Sequence, residues 1–315
     1  MKLYIDKRNL ISLVTSKDSP KFLDCADMVR RHFDVKYNFP KDDIKAEEHL
    51  MAWFAKYGQG VGGSIDFSNN ENDLFPPRPI KSNFYNSCAN DSLTAVYLLE
   101  DEHICDIISS KSCILIGKIG EEIKVLSSLI MENTETPSIQ IVSWNDYLPQ
   151  LPLTDIIISD NHYFKSREVY EKNDNELIRV LSDIPNNSPV NVIIVTKEDE
   201  IDAGIDLEEE KNKIKEIVKK ASGSIKSSVT IVTTYKTHDR SLITNYYRIN
   251  HGSSFHLKSS GLKANVLTEV KSHGKRHNEE ITQYLLGTYQ DIVSSPVRCI
   301  GDEKSKFLDF NNRFK

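Results

Sequence analysis

An imidazole and a guanidinium stand two residues apart at His238 and Arg240, in the run His238-Asp239-Arg240-Ser241-Leu242-Ile243-Thr244-Asn245, and Gly252-Ser253 follows. The spacing is H-x-R-x4-N-x6-G-S. Histidine can act as a nucleophile or a proton carrier near neutral pH. Arginine grips phosphate oxygens bidentately. Residue types, spacing and a β-rich context point together to the handling of a phosphate diester.

The pattern resembles, with two substitutions, the H-x-K-x4-D-x6-G-S signature of the phospholipase D superfamily. The resemblance implies a site where two such motifs meet across a twofold axis. One histidine then attacks phosphorus and the other protonates the leaving group, while lysines hold the non-bridging oxygens and the aspartate orients imidazole. It implies no metal and no cofactor. Carried over to this chain, His238 takes the nucleophile's place and Arg240 replaces the phosphate-binding lysine. Asn245 replaces the aspartate and loses its charge, a change that costs about 10⁴-fold in a serine protease triad. Gly252-Ser253 matches the supporting Gly-Ser, and His256 occupies the place of the asparagine that ends the family pattern. Convergence of His238, Arg240 and Asn245 requires a bend between Arg240 and Asn245.

Charge adds an asymmetry. Between Lys211 and Glu280 there are 14 Lys/Arg against 5 Asp/Glu, a net +9, leaving −15 on the rest of a chain whose net charge is −6. A positive surface beside a phosphate-directed site concentrates anionic ligands. Lys271, Lys275 and Arg276 are therefore candidate phosphate contacts beside Ser253 and His256. Lys211, Lys213, Lys215, Lys219 and Lys220 also fit the solvated face of a helix.

The elements that must position these groups read as alternating α/β from Ser112 onward. Strands are expected at 113–116, 139–143, 154–159, 190–196 and 228–233, with helices at 121–131, 175–181 and 208–221. A strand over 241–249 carries the motif, and a helix covers 279–289. Apolar runs between helical periods imply a sheet covered on both faces. The resemblance covers about residues 153–257. The expected organisation is a smaller α+β domain at 1–105, then a phospholipase-D-like mixed sheet flanked by helices at 106–315.

Within 1–105, Ala46–Tyr57 reads as an amphipathic helix through Leu50, Met51, Trp53 and Phe54. It runs into Gly58-Gln-Gly-Val-Gly-Gly63, formally G-x-G-x-x-G. A helix precedes it where a dinucleotide fingerprint needs a strand, so it reads as a cap and loop. Ala95–Leu99 is a buried strand or a short helix. Gly117-Lys118-Ile119-Gly120 lacks the G-K-[ST] ending of a phosphate loop and reads as a turn. Asn69–Pro79 is a Pro-rich loop.

A second histidine is needed for the family reaction. His162-Tyr-Phe-Lys165 has the wrong spacing, and His273-Gly-Lys275-x4-Glu280 lies too near His238 for another half. The resemblance therefore implies a twofold homodimer with facing His238 residues. Five scattered cysteines without C-x-x-C suggest reduced thiols. No apolar run reaches about 18 residues, and the first residues turn polar too soon for a secretion signal. The expected setting is a bacterial-type cytoplasm, without membrane contact.

Three functions compete. The first is a phospholipase-D-like module that binds nucleic acid or another phosphodiester without turnover, by analogy an effector in bacterial defence or mobile elements. The second is a metal-independent nuclease or phosphodiesterase. The third is a scaffold whose acidic N-terminal domain and Phe75–Pro79 loop contact a protein partner.

Overall fold

Short β-branched runs and amphipathic helices sort into two sheets, and the chain is a mixed α/β protein. The computed structural model describes residues 2–15, 29, 34–37, 39, 41–57, 96–98, 114–116, 134–137, 155–183, 190–236, 240–244, 246–251, 267–272 and 276–301. The chain divides into two compact units, Met1–Ile130 with two short later segments, and Met131–Ser272 with Glu280–Asn311. The boundary expected near residue 105 lies outside the described residues.

In the first unit, β1 (Lys2–Ile5) leads into α1 (Lys7–Thr15), followed by β2 (Asp34–Tyr37), α2 (Lys41–Ala46) and α3 (Glu48–Tyr57). Two further strands, β3 (Val96–Leu98) and β4 (Ile114–Ile116), complete a parallel sheet of order β2-β1-β3-β4. Asp6 starts α1 by accepting the Asn9 amide at 2.8 Å, a side-chain cap for an otherwise orphaned donor. The helix expected from Ala46 is two helices broken at Glu47. Leu50, Trp53 and Phe54 form the buried stripe, whereas Met51 is half exposed. Position 51 lies about 100° around the helix from 50 and falls off that stripe.

In the second unit, β5 (Thr134–Pro137) is followed by β6 (Asp155–Ser159), α4 (Arg167–Asp183), β7 (Asn191–Lys197), α5 (Leu207–Ser222) and β8 (Ser228–Thr234). Then come β9 (Ser241–Thr244), β10 (Tyr247–His251), β11 (Leu267–Ser272), α6 (Arg276–Ser294) and β12 (Arg298–Ile300). The sheet order is β12-β8-β7-β6-β9-β10-β11-β5. β6, β7 and β8 are parallel neighbours, and every other pairing is antiparallel.

Every residue of β6, β8 and β9 is buried, as are the middle five of β7. Continuous burial means that both faces of the central strands are covered. The crossovers through α4 and α5 step the same way along the sheet, which right-handed connections place on one face. The two helices pack on each other. Asp206 caps α5 by accepting the amides of Glu208 and Glu209 at 2.9 and 3.4 Å. Gly223 ends it at φ 68°, a left-handed position where a side chain would be strained.

The single strand expected over 241–249 is a hairpin instead. The Thr244 hydroxyl accepts the amides of Tyr246 at 3.3 Å and Tyr247 at 3.1 Å, and donates to the Tyr247 carbonyl at 3.3 Å. A hydroxyl that takes over backbone partners in this way ends a strand. β10 then returns along β9, with Arg248 opposite Ile243. The helix expected at 121–131 and the strand at 139–143 lie outside the described residues, as do the 58–63, 69–79 and 117–120 segments.

Candidate functional site

Open α/β sheets place ligands beyond the carboxyl ends of their parallel strands, at the point where strand order reverses. Here the chain leaves β8, at one side of β6, and re-enters as β9 on the other side, with Ser241 in register with Ser159. The switch point therefore lies at the carboxyl end of β6. Arg240 stands there, one residue before β9.

Asp160 follows the last residue of β6 and is almost fully buried. Its own amide donates to the Val195 carbonyl at 3.0 Å, fixing it beside β7. Its Oδ1 accepts the backbone amide of His162 at 2.9 Å and faces Arg240 Nε at 3.5 Å. One carboxylate oxygen thus ties the turn after β6 to the residue before β9.

His162 projects from that turn. Its Nδ1 lies 3.1 Å from Glu200 Oε2, which comes from a 3₁₀ turn, Glu198–Glu200, after β7. Lys165 Nζ approaches the same oxygen at 3.7 Å. The side chains of His162 and Glu200 are 31% and 30% exposed, so the pair is open to solvent on one side.

The turn that carries His162 is held at each residue around it. Thr196 Oγ1 donates to the Asn161 carbonyl at 3.3 Å, and Asn173 Nδ2 donates to the Tyr163 carbonyl at 3.3 Å. The Asp202 amide donates to the Phe164 carbonyl at 3.0 Å. Tyr163 and Phe164 are fully buried, with ring centroids 4.8 Å apart. Tyr163 donates its hydroxyl to Asp174 Oδ1 at 3.0 Å. Burial, then the neighbouring Asp174 charge, holds the Tyr163 hydroxyl well above its usual pKa. Burial pushes Asp174 up to about 7, against the Tyr163 hydrogen bond and with the help of Glu210 and Glu171.

Of the sequence-predicted residues, Arg240 is at this edge. His238, Asn245, Ser253, His256 and Lys275 lie outside the described residues, and Arg276 is described by its backbone alone, as the first residue of α6. Asn245 lies outside the described residues, and no bend interrupts the strand between Ser241 and Thr244. Residues 241–244 pair consecutively with β6, from Ser241 opposite Ser159 to Thr244 opposite Ile156. Four residues at about 3.4 Å each put Thr244 roughly 14 Å from Arg240, toward the other end of the sheet.

Lys271 sits on β11 opposite Arg248, two strands beyond β9. Its Nζ is 2.6 Å from Glu269 Oε2, and that contact leads the causes holding the Glu269 carboxyl below its usual pKa. Lys271 is therefore engaged on the sheet and is not gathered with Arg240. Lys211 and Lys219 pair with Glu208 and Glu216, and Lys213 with Glu209 and Glu210, as a solvated helix face does.

Asp160 and Glu200 belong to no motif in the sequence, and the spacing of His162-Tyr-Phe-Lys165 does not fit the H-x-K pattern. The available signal was position: all three lie within three residues of the carboxyl end of an apolar strand, where an α/β sheet presents ligand-binding groups. Among the described residues no cluster of three His, Cys, Asp or Glu is arranged to hold a metal ion. No described helix is long and apolar enough to cross a membrane. No protein-family model matches the chain, and no curated protein matches it.

Proposed function

We propose that this chain is a phosphodiester-binding protein built like one phospholipase D half, with nucleic acid as its first candidate ligand. The observation that supports this best is Arg240: the cation of the H-x-R motif stands at the strand switch, beside the carboxyl end of β6. The sequence order strand, helix, strand, helix, strand, then a strand pair, is the order that the resemblance implies. The basic stretch from Lys211 to Glu280 suits an anionic partner. A twofold homodimer, a protein partner for the N-terminal domain and a defence or mobile-element role belong to the same proposal.

The test is binding of labelled single- and double-stranded DNA and RNA across a salt series, with wild type and Arg240→Ala. Affinity that falls steeply with salt, and with Arg240→Ala, supports the reading. Absence of binding to all four at low salt removes it.

A second reading, a metal-independent phosphodiesterase, is favoured by one observation: an imidazole oriented by a carboxylate at the same strand ends. Cleavage that persists in EDTA separates it from simple binding, and loss of that cleavage in His238→Ala ties it to the motif.

A further inference from the structure

We infer that His162, held through Nδ1 by Glu200, is an acid–base residue of a phosphodiester-cleaving site that it shares with Arg240. The inference rests on the phosphodiester reading above and adds a residue that the H-x-R motif does not contain.

Four observations carry it. A carboxylate on Nδ1 fixes the imidazole's orientation and leaves Nε2 as the atom that exchanges protons. Asp160 Oδ1 meets both the His162 backbone amide and Arg240 Nε, so the turn that carries the imidazole and the guanidinium share one anchor. The carrying turn is fixed by Thr196, Asn173 and Asp202 and by two fully buried rings, which supplies the rigidity that a catalytic group needs. Finally, His162 and Glu200 follow the carboxyl ends of the neighbouring parallel strands β6 and β7, and Arg240 precedes β9 on the other side of β6, at the switch point where such sheets bind ligands. A histidine kept only for packing would be buried, whereas this side chain is 31% exposed beside a cation.

The chemistry follows from the arrangement. Arg240 neutralises the non-bridging oxygens of a phosphodiester, with Lys165, whose Nζ is 3.7 Å from Glu200 Oε2, as a second cation. The imidazolium gives its Nε2 proton to the leaving oxygen as the bond from phosphorus to that oxygen breaks. The oxygen of water forms the new bond to phosphorus, and the proton that water releases restores the imidazolium. One diester and one water become an alcohol and a phosphate monoester, and no electrons are transferred. Glu200 is a positioning residue in this scheme.

The experiment compares two substrates in EDTA, using the full chain. A DNA oligonucleotide has an alkoxide leaving group that needs a proton, whereas bis(4-nitrophenyl) phosphate releases a nitrophenolate that does not. General acid catalysis is worth about 10²–10⁴-fold. His162→Ala is expected to slow oligonucleotide cleavage by at least about 100-fold and nitrophenolate release by less than about tenfold. Glu200→Gln should show the same selectivity at smaller size, and both variants should keep oligonucleotide binding and the wild-type melting temperature. A wild type that binds the oligonucleotide but never cuts it overturns this inference and leaves the binding reading intact. Equal losses on both substrates, or no loss, also overturn it. A wild type that binds nothing overturns both.

Discussion

Arg240 Nε and Asp160 Oδ1 lie 3.5 Å apart across the gap between the ends of β6 and the beginning of β9. The two residues are 80 positions apart in sequence, and the carboxylate is almost wholly removed from water while the guanidinium is partly exposed. A buried carboxylate must be neutralised by hydrogen bonds and a cation. The same pair therefore ties the two strand ends at the switch point and leaves the guanidinium partly exposed. Architecture and candidate chemistry share one contact.

Asp160→Ala should consequently cost more than a surface pair would. It strips a partner from the His162 amide and leaves Arg240 without its counter-charge. Hydrogen bonds to a charged group are worth about 1.5–3 kcal/mol, so the loss should be roughly 2–3 kcal/mol, read by chemical denaturation. Asp160→Asn keeps an acceptor for the amide and should lose about half of that. Equal stability of Asp160→Ala and wild type would remove the anchoring role.

Arg240→Ala tests the outward half of the contact. One phosphate contact fewer should weaken oligonucleotide binding uniformly across sequences and reduce the slope of log K against log salt by about 1. Titrations at three salt concentrations measure it. An unchanged slope places the phosphate contacts elsewhere.

The Tyr163–Asp174 pair predicts a pH effect near neutrality. Asp174 titrates at about 7 in the fold against 3.8 for a free side chain, so the fold favours its neutral form. That contribution is complete below about pH 4 and is lost as pH rises through about 7. The full difference is at most about 4 kcal/mol. Tyr163 and Asn173 sit on one side, and Glu171, Glu210 and Lys213 supply the surrounding charge. Asp174→Asn keeps an acceptor for the Tyr163 hydroxyl and removes the ionisation. Its melting temperature should match wild type near pH 4 and exceed it by about 4–8 °C at pH 8, for a gain of roughly 2 kcal/mol. A constant offset across that range would mean that Asp174 does not titrate there.

The sheet's centre was legible because its sequence is extreme. Ile156-Ile157-Ile158, Val192–Val195 and Val229–Val232 leave few alternatives to buried strands, and the period of α5 is framed by Asp206 and Gly223. α4 begins eight residues before the helix expected from 175, since its earlier turns carry Asn173, Asp174 and Glu176, all buried despite their polarity. The break after Thr244 depended on one hydroxyl that β-branched propensity conceals. The site was hardest to see. His162 and Glu200 are 38 residues apart and Asp160 and Arg240 are 80 apart, and each pair is joined only by strand order, which no local pattern encodes.

Gly301, at the end of the edge strand β12, gives a prediction that is independent of function. Its φ of 138° is one that L side chains rarely adopt. A Cβ built there would lie 2.7 Å from Thr230 Oγ1 and 2.8 Å from the Val229 carbonyl oxygen. The hydroxyl can rotate away, but the backbone carbonyl belongs to β8, a central strand paired on both sides, and cannot. Gly301→Ala must therefore push β12 off β8 or strain both. Strained backbone of this kind costs about 1–3 kcal/mol. For a unit of this size that lowers the melting temperature by about 2–12 °C. Hydrogen exchange should show the loss at Arg298, whose amide donates to Thr233 Oγ1 at 2.9 Å, with β6 and β7 left protected. Unchanged protection at Arg298 together with an unchanged melting temperature would show that the close approach of β12 to β8 contributes nothing to stability.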